Sequence, residues 1–488
     1  MSTIAEVCNL RLKFPGEESL LFKDFSLDIK KGEKVLILGP SGCGKSTVLQ
    51  ILSGLIPNSV EVPMKTDHIQ IPESWGFLFQ DPDTQFCMPY VDEEIAFVLE
   101  NLNTEREEMA DLIECYLNQV GLKFKQNHVA INTLSGGMKQ RLAIASVLAL
   151  KPEVLFLDEP TAMLDPKGTE EVWNTLKTIS NDKTLVIVEH KIDHIINFVD
   201  RVVLMNHNGQ ILADGNKDYI FEQHKQIIKE HGIWYPGVWD EYIQYRGVNA
   251  RSYKSNHSLT PSLELSDFKG YRGKEEKINV EDSKVYPGEW ITVIGANGAG
   301  KSTLLHSLMK LIKIKGNYEL YGLPHKRIKK ISQYLSFVFQ NPEFQFVTNS
   351  VFDEVAYSMR LNGEHEKVIS NRVNELLQLY KLSEHKNQHP YQLSIGQKRR
   401  LSVATAIVDK QPVLLLDEPT FGQDAKNTFT ILEQLEDLRE DGWTIIMVTH
   451  DKQIIKYFST RVWSIKDGML NDDIKTFNPS VYKENLSE

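Results

Sequence analysis

The sequence predicts an α/β protein made of two tandem copies of one P-loop domain, and three observations predict it. The pattern G-x-x-x-x-G-K-[ST] occurs twice. Short apolar runs alternate with stretches of helical periodicity. Landmark residues also recur at nearly constant spacing: Lys45 at Lys301, Gln80 at Gln340, Ser135 at Ser394, Asp158 at Asp417 and His190 at His450, all 256 to 260 residues apart. Each copy spans about 230 residues, well within the size of one domain.

The P-loops come first. Gly39, Ser41, Gly42, Gly44, Lys45, Ser46 and Thr47 form one, and Gly295, Asn297, Gly298, Gly300, Lys301, Ser302 and Thr303 the other. An apolar run precedes each (35–38 and 291–294) and a helical pattern follows. Glycines let backbone N–H groups turn inward around phosphates, and the new helix presents its positive end there. Lys45 and Lys301 are placed to reach the β- and γ-phosphates of ATP, and Ser46 and Ser302 to hold Mg²⁺.

Further along each copy, residues 154–157 and 413–416 read as buried parallel strands, as do 185–188 and 445–448. Asp158-Glu159 and Asp417-Glu418 close the first pair. The aspartates are candidate Mg²⁺ ligands and the glutamates candidates to orient or deprotonate an attacking water. Between Gln80 and Ser135 the period becomes helical, with Ile95, Val98, Leu99 and Leu102 at i, i+3, i+4 and i+7. The polar stretch 246–262 predicts a linker between domains 1–245 and 263–488, and the tail after about Asn471 predicts loose structure.

Composition narrows the possibilities. Net charge is −11, which argues against a nucleic-acid-coating protein. Cys8, Cys43, Cys87 and Cys115 form no C-x-x-C pair, so neither zinc nor an iron–sulfur cluster is expected, and reduced thiols are. The N-terminus lacks a secretion-signal pattern, and no run of about 18 apolar residues predicts a membrane span. If the protein works at a membrane, another chain supplies the span.

Residues 134–141, LSGGMKQR, and 393–400, LSIGQKRR, lie between P-loop and Asp-Glu pair. This placement resembles the signature motif of ATP-binding-cassette (ABC) ATPases, and the resemblance covers nearly the whole chain. It implies that each copy has a RecA-like core, a small antiparallel β region and a helical subdomain. It implies ATP sites between the two halves, one using Lys45 with Ser394 and Gly396, the other Lys301 with Ser135 and Gly137. It assigns Glu159 and Glu418 as catalytic glutamates, His190 and His450 as switch histidines that contact the γ-phosphate, and Gln80 and Gln340 as sensors of Mg²⁺ and of a membrane partner. A lone strand-end histidine is more often structural, but its repetition 32 residues after Asp158 and 33 after Asp417 favours the functional reading. Asp165 and Asp424 match the aspartate that communicates across the pair. Phe14 and Tyr271 match the aromatic that stacks on adenine, with a strand aromatic packed in the core as the open alternative.

Two departures from the pattern predict unequal sites. Ile395 replaces a signature glycine where a phosphate must approach, and Met138 replaces the usual glutamine more mildly. The Lys45–Ser394 site is therefore expected to be slower. Cys43, near Lys45 and a helix start, suggests a thiol of lowered pKa that maleimide would attack and ATP protect, against the plainer reading of a tolerated cysteine.

Residues 79–86 and 339–346 share F-Q-[DN]-P-[DE]-x-Q-F, and each is followed by a D-E-containing helix start. This resembles the energy-coupling-factor class, with both ATPases fused in one chain, as in members assigned to thiamine or hydroxymethylpyrimidine uptake. The class implies a peripheral location on the cytoplasmic membrane face. Its partners are a transmembrane coupling protein and a small membrane-embedded substrate-binding subunit. Fused ATPases of sugar or nucleoside importers are an alternative, but the shared stretch is not expected in both of their halves. Soluble ribosome-associated ATPases typically carry a long basic helical linker, which 246–262 is not.

Overall fold

The computed structural model describes residues 2–16, 19–162, 164–246, 260–409 and 411–475. The chain divides into two compact units, the first of Met1–Pro236 with Asp424–Lys426 and the second of the remainder from Gly237.

In the first unit a six-stranded sheet runs Ile211–Asn216, Arg201–Met205, Lys34–Leu38, Thr184–Val188, Val154–Asp158, Trp75–Leu78. Residues 35–38 have neighbours on both sides, with Ile37 opposite Val188 and Val203 in parallel register. All four are buried, as expected of a parallel strand covered on both faces. A separate antiparallel sheet forms around Thr3–Leu12 and Phe22–Lys30. Here alternation replaces continuous apolarity: Ala5, Val7, Leu10 and Leu12 face a core shared with Val35 and Ile37.

The second unit repeats the strand order around Trp290–Ile294, with Val293 opposite Val448 and Trp463. Its antiparallel strands Leu263–Arg272 and Glu275–Val285 join the same sheet through one pairing, Asn279 with Met469, giving ten strands in a row. The tail differs from expectation. Residues 471–475 belong to the strand Met469–Lys475, paired antiparallel with Arg461–Lys466 and tied by an Arg461–Asp473 ion pair, because Ile474 lies opposite Val462. Residues 476–488 lie outside the described residues.

A helical layer follows in each unit: Val91–Asn101, Arg106–Gln119 and Gly136–Ala149, then Val351–Leu361, Glu366–Leu379 and Ile395–Ile407. In the first of these Ile95 and Leu99 are buried as the periodicity predicts. Leu102 is not. It follows the last helical residue and is 47% exposed, and the buried polar position is Glu94.

Helix Val238–Arg246, just ahead of the 246–262 stretch, packs within the second unit. Tyr242 stacks on Phe429 at 3.9 Å, Trp239 meets the same ring edge-on, and Arg246 pairs with Glu433 at 3.2 Å. Of the expected linker, 247–259 lie outside the described residues, and Ser262 already bonds Val285 at the start of the next sheet. Among the described residues no helix is long and apolar enough to cross a membrane.

Candidate functional site

Both P-loops adopt the backbone that their glycines permit. Gly44 (φ 96°) and Gly300 (φ 112°) are left-handed and begin the helices Lys45–Leu52 and Lys301–Leu308. A side chain at Gly44 would also meet Phe22 at 2.7 Å. Lys45 Nζ donates to the Gly39 and Pro40 carbonyls at 2.9 and 3.1 Å, and Lys301 Nζ to those of Gly295 and Ala296 at 2.8 and 2.9 Å. The lysines thus lie over their own loops. Ser41 Oγ is buried there without a protein partner, as fits a loop that wraps a phosphate oxygen.

Each P-loop serine lies beside the carboxylate expected to share a cation with it. Ser46 Oγ donates to Asp158 Oδ1 at 2.9 Å, and in the second unit Ser302 lies close enough to Asp417 to draw its pKa down against burial. Burial and the Glu159 charge push Asp158 up to about 6, and burial likewise raises Asp417. Among the described residues no three His, Cys, Asp or Glu side chains form a metal-holding group. A Ser–Asp pair suits Mg²⁺, which keeps much of its shell on water and phosphate.

Glu159 (φ 47°) and Glu418 (φ 51°) sit in left-handed backbone, a costly conformation for a non-glycine residue that concentrates at functional sites. Each amide is pinned to the neighbouring strand, Glu159 N to Val188 O at 2.9 Å and Glu418 N to Val448 O at 3.1 Å. In the first unit Gln80 Nε2 donates to Glu159 at 3.0 Å, and His190 Nε2 lies 3.0 Å from its other oxygen. Burial works to raise this carboxyl, but His190 and Lys45 outweigh it, so Glu159 stays below its usual range. The predicted glutamine, glutamate and histidine therefore converge. In the second unit His450 Nε2 is 3.4 Å from Glu418, and Gln340 is exposed.

Ser135 and Ser394 cap the signature helices, accepting from Met138 N at 3.3 Å and Gln397 N at 3.4 Å. Gln397 bonds back to Ser394 N, so the second cap is a full capping box that Met138 cannot reproduce. The helix survives Met138, as expected. The side chain of Ile395 lies outside the described residues. Gly137 packs on Gly168, where an added Cβ would come within 3.3 Å, and the Gly396 carbonyl accepts from Gln423 at 3.4 Å. Asp165 caps helix Pro166–Ile179 through Gly168 N at 2.7 Å.

The two aromatics remain half-buried. Phe14 packs against the first unit's core, and Tyr271 lies beneath Lys313 and Lys315 and bonds Glu276. For Cys43 the plainer of the two readings is favoured: its side chain is 1% exposed and burial outweighs the pull of Lys45, raising the thiol's pKa. It is a packed core cysteine, not a reactive one.

Several residues that brace these loops escaped the sequence reading. In both shared stretches the acid after proline pairs with the signature lysine: Asp83–Lys139 at 2.7 Å and Glu343–Lys398 at 2.5 Å. These pairs tie the glutamine-bearing loop to the signature helix within each unit. Glu94 accepts from Cys87 N and Met88 N, and Glu354 from Val347 N and Thr348 N, at 2.8 to 3.2 Å. Repetition of D-E after each stretch was the available signal. Removing either glutamate to alanine is expected to raise hydrogen exchange at its two loop amides by about 10–100-fold, because charged hydrogen bonds contribute about 1.5–3 kcal/mol. Exchange mass spectrometry of each variant reads this directly. A small pocket of about 120 Å³ lies beside the first pair, lined in part by Pro82, Lys139 and Gln140, whose Nε2 is buried without a partner. Arg399 takes the place of Gln140 in the second unit, where burial pushes it down to about 10 against the opposing pull of Glu418 and Asp417.

The family profile described as ABC transporter matches residues 22–162 and 279–421, covering both P-loops and both Asp-Glu pairs. The chain belongs to the ABC transporter family. It is an ABC ATPase with two fused nucleotide-binding domains, coupled to transport. A Bacillus subtilis protein named for HMP/thiamine import is 35% identical to it over 95% of this chain and 90% of its own. An ABC transporter ATP-binding protein of Methanosarcina acetivorans is 32% identical over 94% of this chain and 83% of its own. Among solved structures, an archaeal ribosome recycling factor bound to a ribosomal stalk protein aligns with a TM-score of 0.61 at 20% identity, over 94% of this chain and 88% of that one. That likeness speaks to the fold alone. ABC ATPase domains bind ATP, generally with Mg²⁺, and the residues gathered here fit both.

Proposed function

We propose that this ABC ATPase is the energising subunit of an energy-coupling-factor importer for a small micronutrient of the thiamine or hydroxymethylpyrimidine type. The observation that carries the reading is the duplicated F-Q-[DN]-P-[DE]-x-Q-F loop, braced in both units by the acid–lysine pair and the buried glutamate. The near-full-length likeness to the Bacillus subtilis import protein supports the cargo class. Its partners are then a transmembrane coupling protein and a small substrate-binding membrane subunit, and it works at the cytoplasmic membrane face. The loops offer unequal surfaces to such a partner. Phe344 (75% exposed) and Leu361 (69%) stand where the first half has Thr84 and Asn101.

In the mechanism, Lys45 and Lys301 neutralise the β- and γ-phosphate charge. Ser46 with Asp158, and Ser302 with Asp417, would hold Mg²⁺, which supplies further charge neutralisation on phosphate oxygens when bound. Glu159 and Glu418 orient the attacking water and accept its proton. His190 and His450 position those glutamates and meet the γ-phosphate, and Gln80 and Gln340 report on the cation. Differential ATP affinity for two conformations then supplies the work.

The test is purification of the chain with candidate membrane proteins from detergent. Recovery of a coupling membrane protein with a small substrate-binding one is expected, and the bound ligand then names the cargo. Recovery with a large sugar-type permease alone, or with ribosomes, overturns the importer class and leaves the ATPase standing.

A further inference from the structure

The residue ahead of each switch histidine differs between the halves, Glu189 in the first and Thr449 in the second. Glu189 is 3% exposed, and neither oxygen is idle. Oε2 accepts from the Thr161 hydroxyl at 2.8 Å, while Oε1 accepts from His190 N at 2.9 Å and more distantly from Lys191 N at 3.4 Å. Thr161 follows Asp158 and Glu159 on the loop that carries the proton acceptor. One buried carboxylate thus joins the glutamate-bearing loop to the histidine-bearing loop. In the second half Thr449 accepts from Asp451 N at 3.2 Å, a bond within its own loop. The glutamate-to-histidine distances follow suit, 3.0 Å with the brace and 3.4 Å without it.

We propose that Glu189 is a positioning residue of the first catalytic centre, holding His190 in register with Glu159 by bridging Thr161 to the His190 amide. A carboxylate is suited to this because it accepts from several donors at once, which a threonine hydroxyl of shorter reach does not. The donors it satisfies would otherwise be buried and unpaired. The brace touches neither the P-loop nor its lysine. Its loss therefore falls on the placement of the reacting groups, to which rate is steeply sensitive, rather than on ATP binding. The second centre, lacking the brace, is insensitive to the corresponding hydroxyl, Thr420.

Steady-state ATP turnover of the full chain, with nucleotide binding measured alongside, tests this. Thr161→Val removes the hydroxyl donor at nearly constant shape and is expected to lower kcat about 3–10-fold with KM for ATP unchanged, a fraction of what an ångström of misplacement costs. Thr420→Val is expected to leave turnover alone. Glu189→Thr is expected to act like Thr161→Val. Glu189→Gln is expected to retain most activity, because its amide can accept from the His190 N–H and donate to Thr161 Oγ. Equal loss in Thr161→Val and Thr420→Val overturns the asymmetry. Loss in Glu189→Gln as deep as in Glu189→Thr replaces the brace with a role for charge and overturns the proposal. A change in KM with kcat intact overturns it as well. If Glu189→Thr fails to fold, Thr161→Val and Glu189→Gln still decide.

Discussion

Exchanging Glu159 and Glu418 together for glutamine is expected to reduce ATP turnover by at least about 100-fold, the usual contribution of a positioned general base. The geometry of the first unit motivates the size. Glu159 is held at 3.0 Å by both Gln80 and His190, and His190 and Lys45 hold its carboxyl below the usual range against burial, so the proposed proton acceptor is ready before reaction. Glutamine retains the contacts of one oxygen and loses the basicity. ATP binding is expected to persist, since Lys45, Lys301 and the loop amides are untouched. Phosphate release read against binding of a fluorescent nucleotide separates the two. Single exchanges carry further information. A larger loss from one glutamate than the other supports unequal centres, as Ile395, Met138 and Arg399 suggest, and equal losses remove that asymmetry.

The second large effect concerns stability. Trp290→Ala is expected to destabilise the second unit by about 3–5 kcal/mol, the range for deleting a buried tryptophan from a packed core. Trp290 is fully buried as the first residue of the central strand, against Phe458, and its backbone N–H donates to the Thr460 hydroxyl at 2.8 Å. The strand that it opens runs on to Gly295 and the P-loop, and the vacated volume lies at the opposite end of that strand, in the core shared with Leu414, Leu416 and Phe458. Urea unfolding followed by circular dichroism is expected to show a transition shifted to lower concentration in the variant. An unchanged unfolding curve counts against the packing role.

Much of this architecture is legible in the sequence because its signals are local. Glycines at fixed spacing after an apolar run specify a P-loop whatever surrounds them, and continuous runs such as Val154 to Leu157 specify buried parallel strands. What escaped depends on tertiary neighbours. Glu94 and Glu354 look like solvated residues in the first turn of a helix, and only the loop that folds over them makes them buried acceptors. Glu189 reads as a surface charge until Thr161 is brought to it by the adjacent strand. For Cys43 the sequence leaves two readings open for the same reason: closeness to Lys45 suggests an activated thiol, whereas packing against Gly39 and the sheet encloses it and favours the plainer one. Strand pairing with Arg461–Lys466 likewise orders residues 471–475, which have little apolar character of their own.

Helix Val238–Arg246 has a consequence for any attempt to divide the protein. The repeat alone would place a cut within 246–262, releasing a second half that begins with its first strand. Such a fragment would leave behind the tryptophan and tyrosine that cover Phe429, along with the arginine that answers Glu433. It would expose an aromatic face to water and to other copies of itself. A second half that begins at Gly237 instead is expected to keep this cover, taking its tryptophan, tyrosine and arginine from sequence that the repeat assigns to the first.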